Sequence, residues 1–385
     1  MAEKTCVVVG AGVVGLAITR ALARCAATQV ICIDKHSRFG EETSSRNSEV
    51  LHQGIYYKKD SLKARTCVRG ARLMKNFMHQ HSITTLPCGA YIVARDREQL
   101  GELLHKAQVN GARDVDWAPS LPEGVPSDFF ALWSANTSIF DSHGVMEALR
   151  DDAEEHGAMI ATDNKVTGKN SVSYSEAAAS SGEPPFTLLL NGGEDSMPCD
   201  VLINAAGLHA THFSKLWLED SDTVHIPTTR FVKGNYFKLK SGIKFPFKSL
   251  VYPQPTATGL GTHCTLSLDG KALKFGPNGE WLADDVDLDD FKTYQVDPAM
   301  AAEFYDSIRD YWPDLPDDSL EPDYSGIRPK IDEGDFVIDD HGYTGKHVSL
   351  YGIESPGLTA SLAIAEEVLG KLGMKTEEPL SETVE

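Results

Sequence analysis

The chain has no surplus of basic residues. Its 36 Lys and Arg face 56 Asp and Glu, a net charge of −20 at neutral pH. That deficit argues against nucleic acid and against anionic membrane surfaces as partners. It also means that an anionic substrate would need a locally positive pocket. No Cys-x-x-Cys pair occurs. The seven cysteines (Cys6, Cys25, Cys32, Cys67, Cys88, Cys199, Cys264) are scattered and odd in number. They read as reduced thiols, with no disulfide framework and no metal cluster, so no metal ligands are expected. No apolar run approaches the ~20 residues that span a bilayer, so no transmembrane segment is expected. The first strand begins by about Thr5, which leaves no room for a signal or transit peptide. These features point to a cytoplasmic protein, or to a mitochondrial one if the chain is a processed form.

What is present is enough for a large core. Over 385 residues, 41% are hydrophobic, which suits two or three soluble domains at about 150 residues each. The most informative stretch is Val7-Val-Val-Gly-Ala-Gly-Val-Val-Gly15. A helical apolar run, Leu16 to Leu22, follows it, and then a second strand-like run, Val30 to Ile33, ending on Asp34. Gly10 suits the tight turn out of the strand. Gly12 lets backbone approach a pyrophosphate that sits on the helix N-terminus with Val13 and Val14. Gly15 lets helix and sheet pack closely. Asp34, 19 residues past Gly15, stands where a carboxylate holds a ribose, with Lys35 beside it. Strand, turn, helix and acid together define a dinucleotide site.

Further along, residues 61–80 show helical spacing with Ser61 as cap. Residues 89–94 read as a strand, 96–108 as a polar helix and 143–156 as a helix stopped by Gly157. Residues 113–140, with three prolines, read as irregular. Residues 170–185, rich in Ser and Ala, read as a long hairpin tip or mobile loop. The run Val201-Leu-Ile-Asn-Ala-Ala-Gly207 is a buried strand whose small residues, Ala205 and Gly207, leave room for a ligand. Alternating segments at 230–239, 249–252, 262–268 and 272–275 then predict an antiparallel sheet, with Asp269-Gly270 as a hairpin turn. Residues 298–312 form an amphipathic helix with Phe304, Ile308 and Tyr311 on one face. A strand at 348–353 and a helix at 359–372 close the chain.

The chain therefore opens on a Rossmann unit and returns to strand–Gly–helix at its end. The expected fold class is α/β, with a Rossmann-like cofactor domain that is discontinuous (1–85, 140–215 and 325–375). An inserted α+β substrate domain (86–139 and 216–324) carries the antiparallel sheet. Residues 376–385 form a frayed acidic tail.

Several segments resemble the D-amino-acid-oxidase-like flavoproteins, and within them the L-2-hydroxyglutarate dehydrogenase/oxidase family. Beside the glycine fingerprint these are Ser44-Ser-Arg-Asn-Ser-Glu-Val-Leu-His52-Gln-Gly-Ile-Tyr-Tyr57 followed by Ser61-Leu-Lys-Ala-Arg65, Asn204-Ala-Ala-Gly207, Lys233-Gly-Asn-Tyr236 and Gly261-Thr-His-Cys-Thr265. Gly326-Ile-Arg-Pro329 and Gly352-Ile-Glu-Ser-Pro-Gly-Leu-Thr-Ala-Ser361 complete the set, and the similarity runs over about 5–370. The chain departs from the family with Arg46 in place of His, Glu49 in place of Gly and Gln53 in place of a small residue. The resemblance implies FAD as cofactor and a small 2-hydroxy acid as substrate. Electrons would pass to a quinone, an electron-transfer protein or dioxygen.

Oxidising a 2-hydroxy acid needs a hydride acceptor, a base, a cation for the carboxylate and a stabiliser for the reduced flavin. The helix near Thr359 suits the last role, through N–H groups of Gly357, Leu358, Thr359 and Ala360. Arg328 suits the carboxylate clamp, because its planar fork binds bidentately. His52 and His263 lie in matching segments, and either suits the base; the other would bond substrate or flavin. Ser44, Ser45, Asn47 and Ser48 suit phosphate and ribityl contacts. Val166 suits a backbone contact to adenine, and Gly326 close approach to the cofactor. Tyr57 and Tyr236 are candidates for the substrate pocket. Arg230, Lys233 and Lys330 are candidates for a second carboxylate. The expected reaction is oxidation of L-2-hydroxyglutarate to 2-oxoglutarate, with hydride passing to flavin N5. The alternative is a flavin amine or amino-acid oxidase, which would need neither histidine.

Overall fold

The strand Lys4–Val9 sits inside a six-stranded sheet ordered Val337–Asp339, His347–Tyr351, Val201–Asn204, Lys4–Val9, Thr28–Ile33, Met159–Ala161. Its neighbours pair in parallel, and only the outermost pair, Val337–Asp339 with His347–Tyr351, is antiparallel. Unbroken apolar runs such as Val7-Val8-Val9 fit this place, because a parallel strand is covered on both faces. The structure is a computed structural model, and it describes residues 3–218, 224–254 and 261–377.

Four helices share the core on one face: Val13–Ala23, Leu62–Gln80, Ser142–Glu155 and Gly357–Leu372. Ser61 caps the second of them, its side chain accepting from the Ala64 N–H, and Phe77 anchors it with no exposed surface. Burying such a ring stabilises by roughly 1.5–3 kcal/mol. At Gly70 this helix crosses Gly357–Leu372 so closely that a Cβ would stand 2.4 Å from the Thr359 carbonyl oxygen. The close crossing fixes where the second helix begins. The opposite face of the sheet is covered by three antiparallel strands, Val172–Tyr174, Phe186–Leu190 and Asp195–Cys199.

Among the described residues the second large sheet has nine strands. Thr229–Leu239 pairs along its length with Leu320–Ile331, and the sheet continues through Leu273–Phe275, Cys264–Leu266, Leu250–Pro253, Ala90–Ala94, Phe130–Ser134 and Val115–Trp117. Phe304, Ile308 and Tyr311 of the helix Ala301–Tyr311 back it, all fully buried.

Several expectations need correction. The second sheet is mixed, because Leu250–Pro253 runs parallel to Ala90–Ala94. Residues 113–140 are not irregular throughout: on either side of the proline-bearing stretch they form Val115–Trp117, Phe130–Ser134 and Ser138–Phe140. Residues 170–185 do form one arm and the tip of a hairpin, Val172–Tyr174 pairing antiparallel with Phe186–Leu190, but the tip is a short helix, Glu176–Ser181, capped by Ser175. The boundary at 325 falls inside the strand Leu320–Ile331, which belongs throughout to the second sheet. The start of the acidic tail is tied down, since Thr376 bridges to Cys25 and the Glu377 N–H donates to the Arg24 carbonyl. The rest of that tail, 378–385, lies outside the described residues.

Candidate active site

Two adjoining cavities lie between the sheets and share Gly12, Thr43, Ser44, Ala205 and Gly207 in their walls. Both open at the carboxyl ends of Lys4–Val9 and Val201–Asn204, where a Rossmann sheet binds its ligands.

The glycines act where expected from their spacing. Gly10 turns at φ +107°, and a Cβ on Gly15 would stand 1.8 Å from the Gly10 carbonyl oxygen. Gly12 caps the helix Val13–Ala23 in extended backbone. The Val13 N–H donates to Ser44 Oγ at 3.0 Å. The N–H groups of Val14 and Gly15 have no partner among the described residues. Such an end binds an anion.

The second cavity holds the acid and what surrounds it. Asp34 accepts from the Ala11 N–H at 2.7 Å and from the His36 N–H at 2.9 Å. Burial raises its carboxyl above the ordinary value against the pull of those donors. Val166 lines this cavity too. Lys35 is not free to meet a ligand alone: its ammonium stands 2.5 Å from Asp289, 2.9 Å from Glu42 and 2.8 Å from His209 Nε2. Burial opposes the Glu42 charge, yet hydrogen bonds with His209 and His36 and the charge of Lys35 hold it far below the carboxylate range. Glu42, His209 and Asp289 stand within metal-ligand reach of one another, but the Lys35 ammonium already supplies the cation there.

The first cavity gathers the reactive candidates. His52, His263, Tyr236, Gly326 and Arg328 all line it, with Asn47, Ser48, Gly357, Leu358 and Thr359. Tyr236 bonds Ser48 Oγ through its hydroxyl at 2.9 Å and stacks on Tyr324 at 4.4 Å. The Asn47 amide donates to the Ser44 carbonyl at 2.6 Å, which holds the loop's shape. Gly326 admits this loop, because a Cβ there would meet the Arg46 carbonyl oxygen at 2.0 Å.

Arg328 Nη2 donates to the Asn278 carbonyl at 2.9 Å, while its buried Nε has no protein partner among the described residues. His52 is anchored through its backbone: its N–H donates to Thr359 Oγ1 at 3.0 Å, and that hydroxyl donates to the Val50 carbonyl. Burial pushes the His52 imidazole down to about 4, so the ring is neutral near pH 7. His263 lies buried against Tyr252.

The last helix starts at Gly357, two residues earlier than expected, and its free amides are fewer. The Gly357 N–H donates to the Glu354 carbonyl and that of Ala360 to Pro356. The N–H groups of Leu358 and Thr359 remain, on the cavity wall. Ala360 itself is fully buried and off the wall.

Other expected residues lie elsewhere. The Ser45 hydroxyl donates to the Gly40 carbonyl at 2.5 Å, and Ser45 itself lines neither cavity. Tyr57 lines a small cavity behind the main one and bonds toward Ser355. Arg230 pairs with Asp332, Lys233 donates to the Gln295 carbonyl, and Lys330 pairs with Glu354. None of the three lines the main cavity. Conversely, Tyr252, Glu354, Arg46, Thr43 and Pro277 line it without having been singled out as site residues. Tyr252 closes an alternating strand, a pattern that signals burial and nothing more. Asp289 is 254 residues from its partner Lys35, and no local signal links them. Glu49 holds φ +56° and bonds Ser142 Oγ, a left-handed place that explains why glycine is usual there.

Comparisons with known proteins agree on one family. The model of the FAD dependent oxidoreductase family, DAO, matches residues 5–369. The mitochondrial L-2-hydroxyglutarate dehydrogenase of Arabidopsis thaliana is 38% identical over 95% of this chain and 82% of its own length. The Homo sapiens protein of the same name is 30% identical over 71% of this chain, which spans about three fifths of that relative. Among solved structures, the FAD-bound L-alpha-glycerophosphate oxidase of Mycoplasma pneumoniae superposes with a TM-score of 0.83. It is 22% identical and covers 99% of this chain and 98% of its own, which shows a common fold.

Proposed function

The chain belongs to the DAO family of FAD-dependent oxidoreductases, and from that premise we propose that it oxidises L-2-hydroxyglutarate to 2-oxoglutarate. The observation that carries this reading is the meeting of Arg328, His52 and His263 on one cavity wall beside the unpaired amides of Leu358 and Thr359. The names of the relatives support the substrate.

The residues present fit FAD. The pyrophosphate would sit on Val14 and Gly15, the ribose on Asp34 and the adenine near Val166. The flavin would lie in the first cavity with its N1 edge toward Leu358 and Thr359. Bound FAD supplies the hydride acceptor. Arg328 holds the substrate carboxylate through Nε and its neighbouring nitrogen, which satisfies the buried Nε. His52, neutral by burial, takes the hydroxyl proton, and the developing imidazolium is favoured by the bound dianion nearby. His263 holds the substrate oxygen in line.

Anaerobic reduction tests the reading. The visible flavin absorbance is expected to bleach rapidly with L-2-hydroxyglutarate and not with the D-isomer, glycine or D-alanine. Bleaching by an amine while the hydroxy acid leaves the flavin oxidised would move the chain to the amine-oxidase branch.

A further inference from the structure

Behind His52 lies a third, much smaller cavity. Its volume is about 10 Å³, and His52, Gln53, Tyr56, Tyr57, Thr137 and Tyr252 are among its walls. That is about the room one water needs, provided two to four polar partners converge on it. Two are at hand. The Tyr252 hydroxyl is buried and has no hydrogen-bond partner among the described residues. The His52 ring likewise has no hydrogen bond to a described residue, although its backbone is fixed on Thr359. Of the other polar groups there, Thr137 Oγ1 is committed to Ser134 at 2.8 Å and the Gln53 amide to the Asn136 carbonyl at 3.0 Å, and Tyr56 adds a further hydroxyl-bearing side chain to the wall. His52 and Tyr252 are also the residues common to both cavities, so each borders the reaction space and the space behind it.

We infer that Tyr252 is a positioning residue for the base: one ordered water in the small cavity joins the Tyr252 hydroxyl to the rear nitrogen of His52. The inference rests on the proposed role of His52 as proton acceptor. A neutral imidazole has one N–H and one lone pair, and the partner of the first decides where the second points. With the rear N–H donating to the water, the front nitrogen presents its lone pair to the substrate hydroxyl. With the opposite tautomer the ring could not accept a proton from that side. Tyr252 couples the two histidines as well, since His263 stacks on its ring with centroids 3.8 Å apart.

Tyr252→Phe separates these roles, because it keeps the ring and removes only the hydroxyl. In the FAD-loaded protein kcat for L-2-hydroxyglutarate is expected to fall about 10-fold or more, with KM within about twofold, as for loss of an outer partner of a reactive histidine. A merely structural tyrosine would not move the titration of His52. That titration is read by NMR of ring-labelled histidine, assigned with His52→Gln. The titratable and charged groups sharing its cavities are Tyr56 and Tyr57 on its own segment, Arg46 and Glu49 on the loop before it, Tyr236, Tyr252 and His263 from the side of the second sheet, and Arg328 and Glu354 across the main cavity. The variant is expected to titrate at lower pH than the parent, because the imidazolium loses its hydrogen-bonded sink. An unmoved His52 titration overturns the inference, as does a crystal structure in which no water bridges the two residues. Neither readout needs turnover. If the parent fails to oxidise L-2-hydroxyglutarate while the His52 titration still moves, the substrate reading falls and the positioning role stands.

Discussion

The imidazole of His263 lies flat on the phenol ring of Tyr252, with centroids 3.8 Å apart and planes 8° from parallel. Both rings are buried and both line the main cavity. Stacking leaves the imidazole edge, with its two nitrogens, as the polar rim of that contact. His263→Asn keeps one donor and one acceptor but loses the stacked ring. It is expected to lower kcat for L-2-hydroxyglutarate about 100-fold, as misplacement of a reacting group can cost. Steady-state kinetics would check this, and a kcat within threefold of the parent would remove His263 from the reaction.

Arg328 offers a different signature. One N–H of its Nη2 is used by the Asn278 carbonyl and its buried Nε has no protein partner among the described residues, so the guanidinium keeps donors for a carboxylate. Lysine at this place supplies charge without the planar fork. Arg328→Lys is therefore expected to raise KM for the hydroxy acid about 30-fold or more, close to 2 kcal/mol of a charged hydrogen bond. Flavin content, read from absorbance, should stay that of the parent. Loss of flavin instead would mean that Arg328 serves the cofactor.

Gly15 tests the cradle. A methyl group there would stand 1.8 Å from the Gly10 carbonyl oxygen, a backbone atom fixed by the Gly10 N–H bond to the Ile33 carbonyl. Something must shift, and overpacking of this kind costs roughly 1–3 kcal/mol. The displaced pieces are the turn and helix end that would hold the pyrophosphate. Gly15→Ala is expected to purify with little or no FAD and with a lowered melting temperature. Full flavin occupancy would contradict the assignment of this turn.

Acid should unfold the protein through its buried histidines. Burial lowers His52 to about 4 and His347 to about 3, from an ordinary value of 6.5. A group whose folded-state value is depressed binds a proton in the unfolded chain first. Stability is therefore present above pH 6.5 and drains away as the pH falls toward 4. Each group costs up to about 1.4 kcal/mol per pH unit in that window. His347 bonds the Leu202 carbonyl and Ser349 Oγ behind the cofactor strand. His347→Gln should lose stability at pH 7.5 yet show a shallower decline of melting temperature between pH 6.5 and 4. Equal slopes for parent and variant would rule out this histidine as a source of the acid sensitivity.

Much of this molecule could be read in one dimension. The strand–glycine–helix–strand–acid order follows from local sterics and period. Gly10 needs its positive φ, and Gly15 has no room for a side chain. The amphipathic face Phe304, Ile308, Tyr311 is likewise a matter of spacing. Local motif also carried Arg328, His52 and His263 to the same cavity wall.

Other features depend on partners far away in the chain. The parallel pairing of Leu250–Pro253 with Ala90–Ala94 joins segments 160 residues apart in register (Leu250 with Ala90), and no periodicity reports it. Ser45 donates to the Gly40 carbonyl while its neighbour Ser44 accepts from the Val13 N–H, and both partners lie elsewhere in the chain. Lys35 met Asp289, Tyr57 was drawn behind the cavity, and Arg230, Lys233 and Lys330 found other partners. Spacing determined which elements form, because that depends on backbone sterics and burial period, while the candidate chemical residues were picked out by their place in segments that resemble a known family. Tertiary structure alone decided which polar groups are left unpaired at the cavity, because a hydrogen bond is satisfied by whatever the fold brings within about 3 Å.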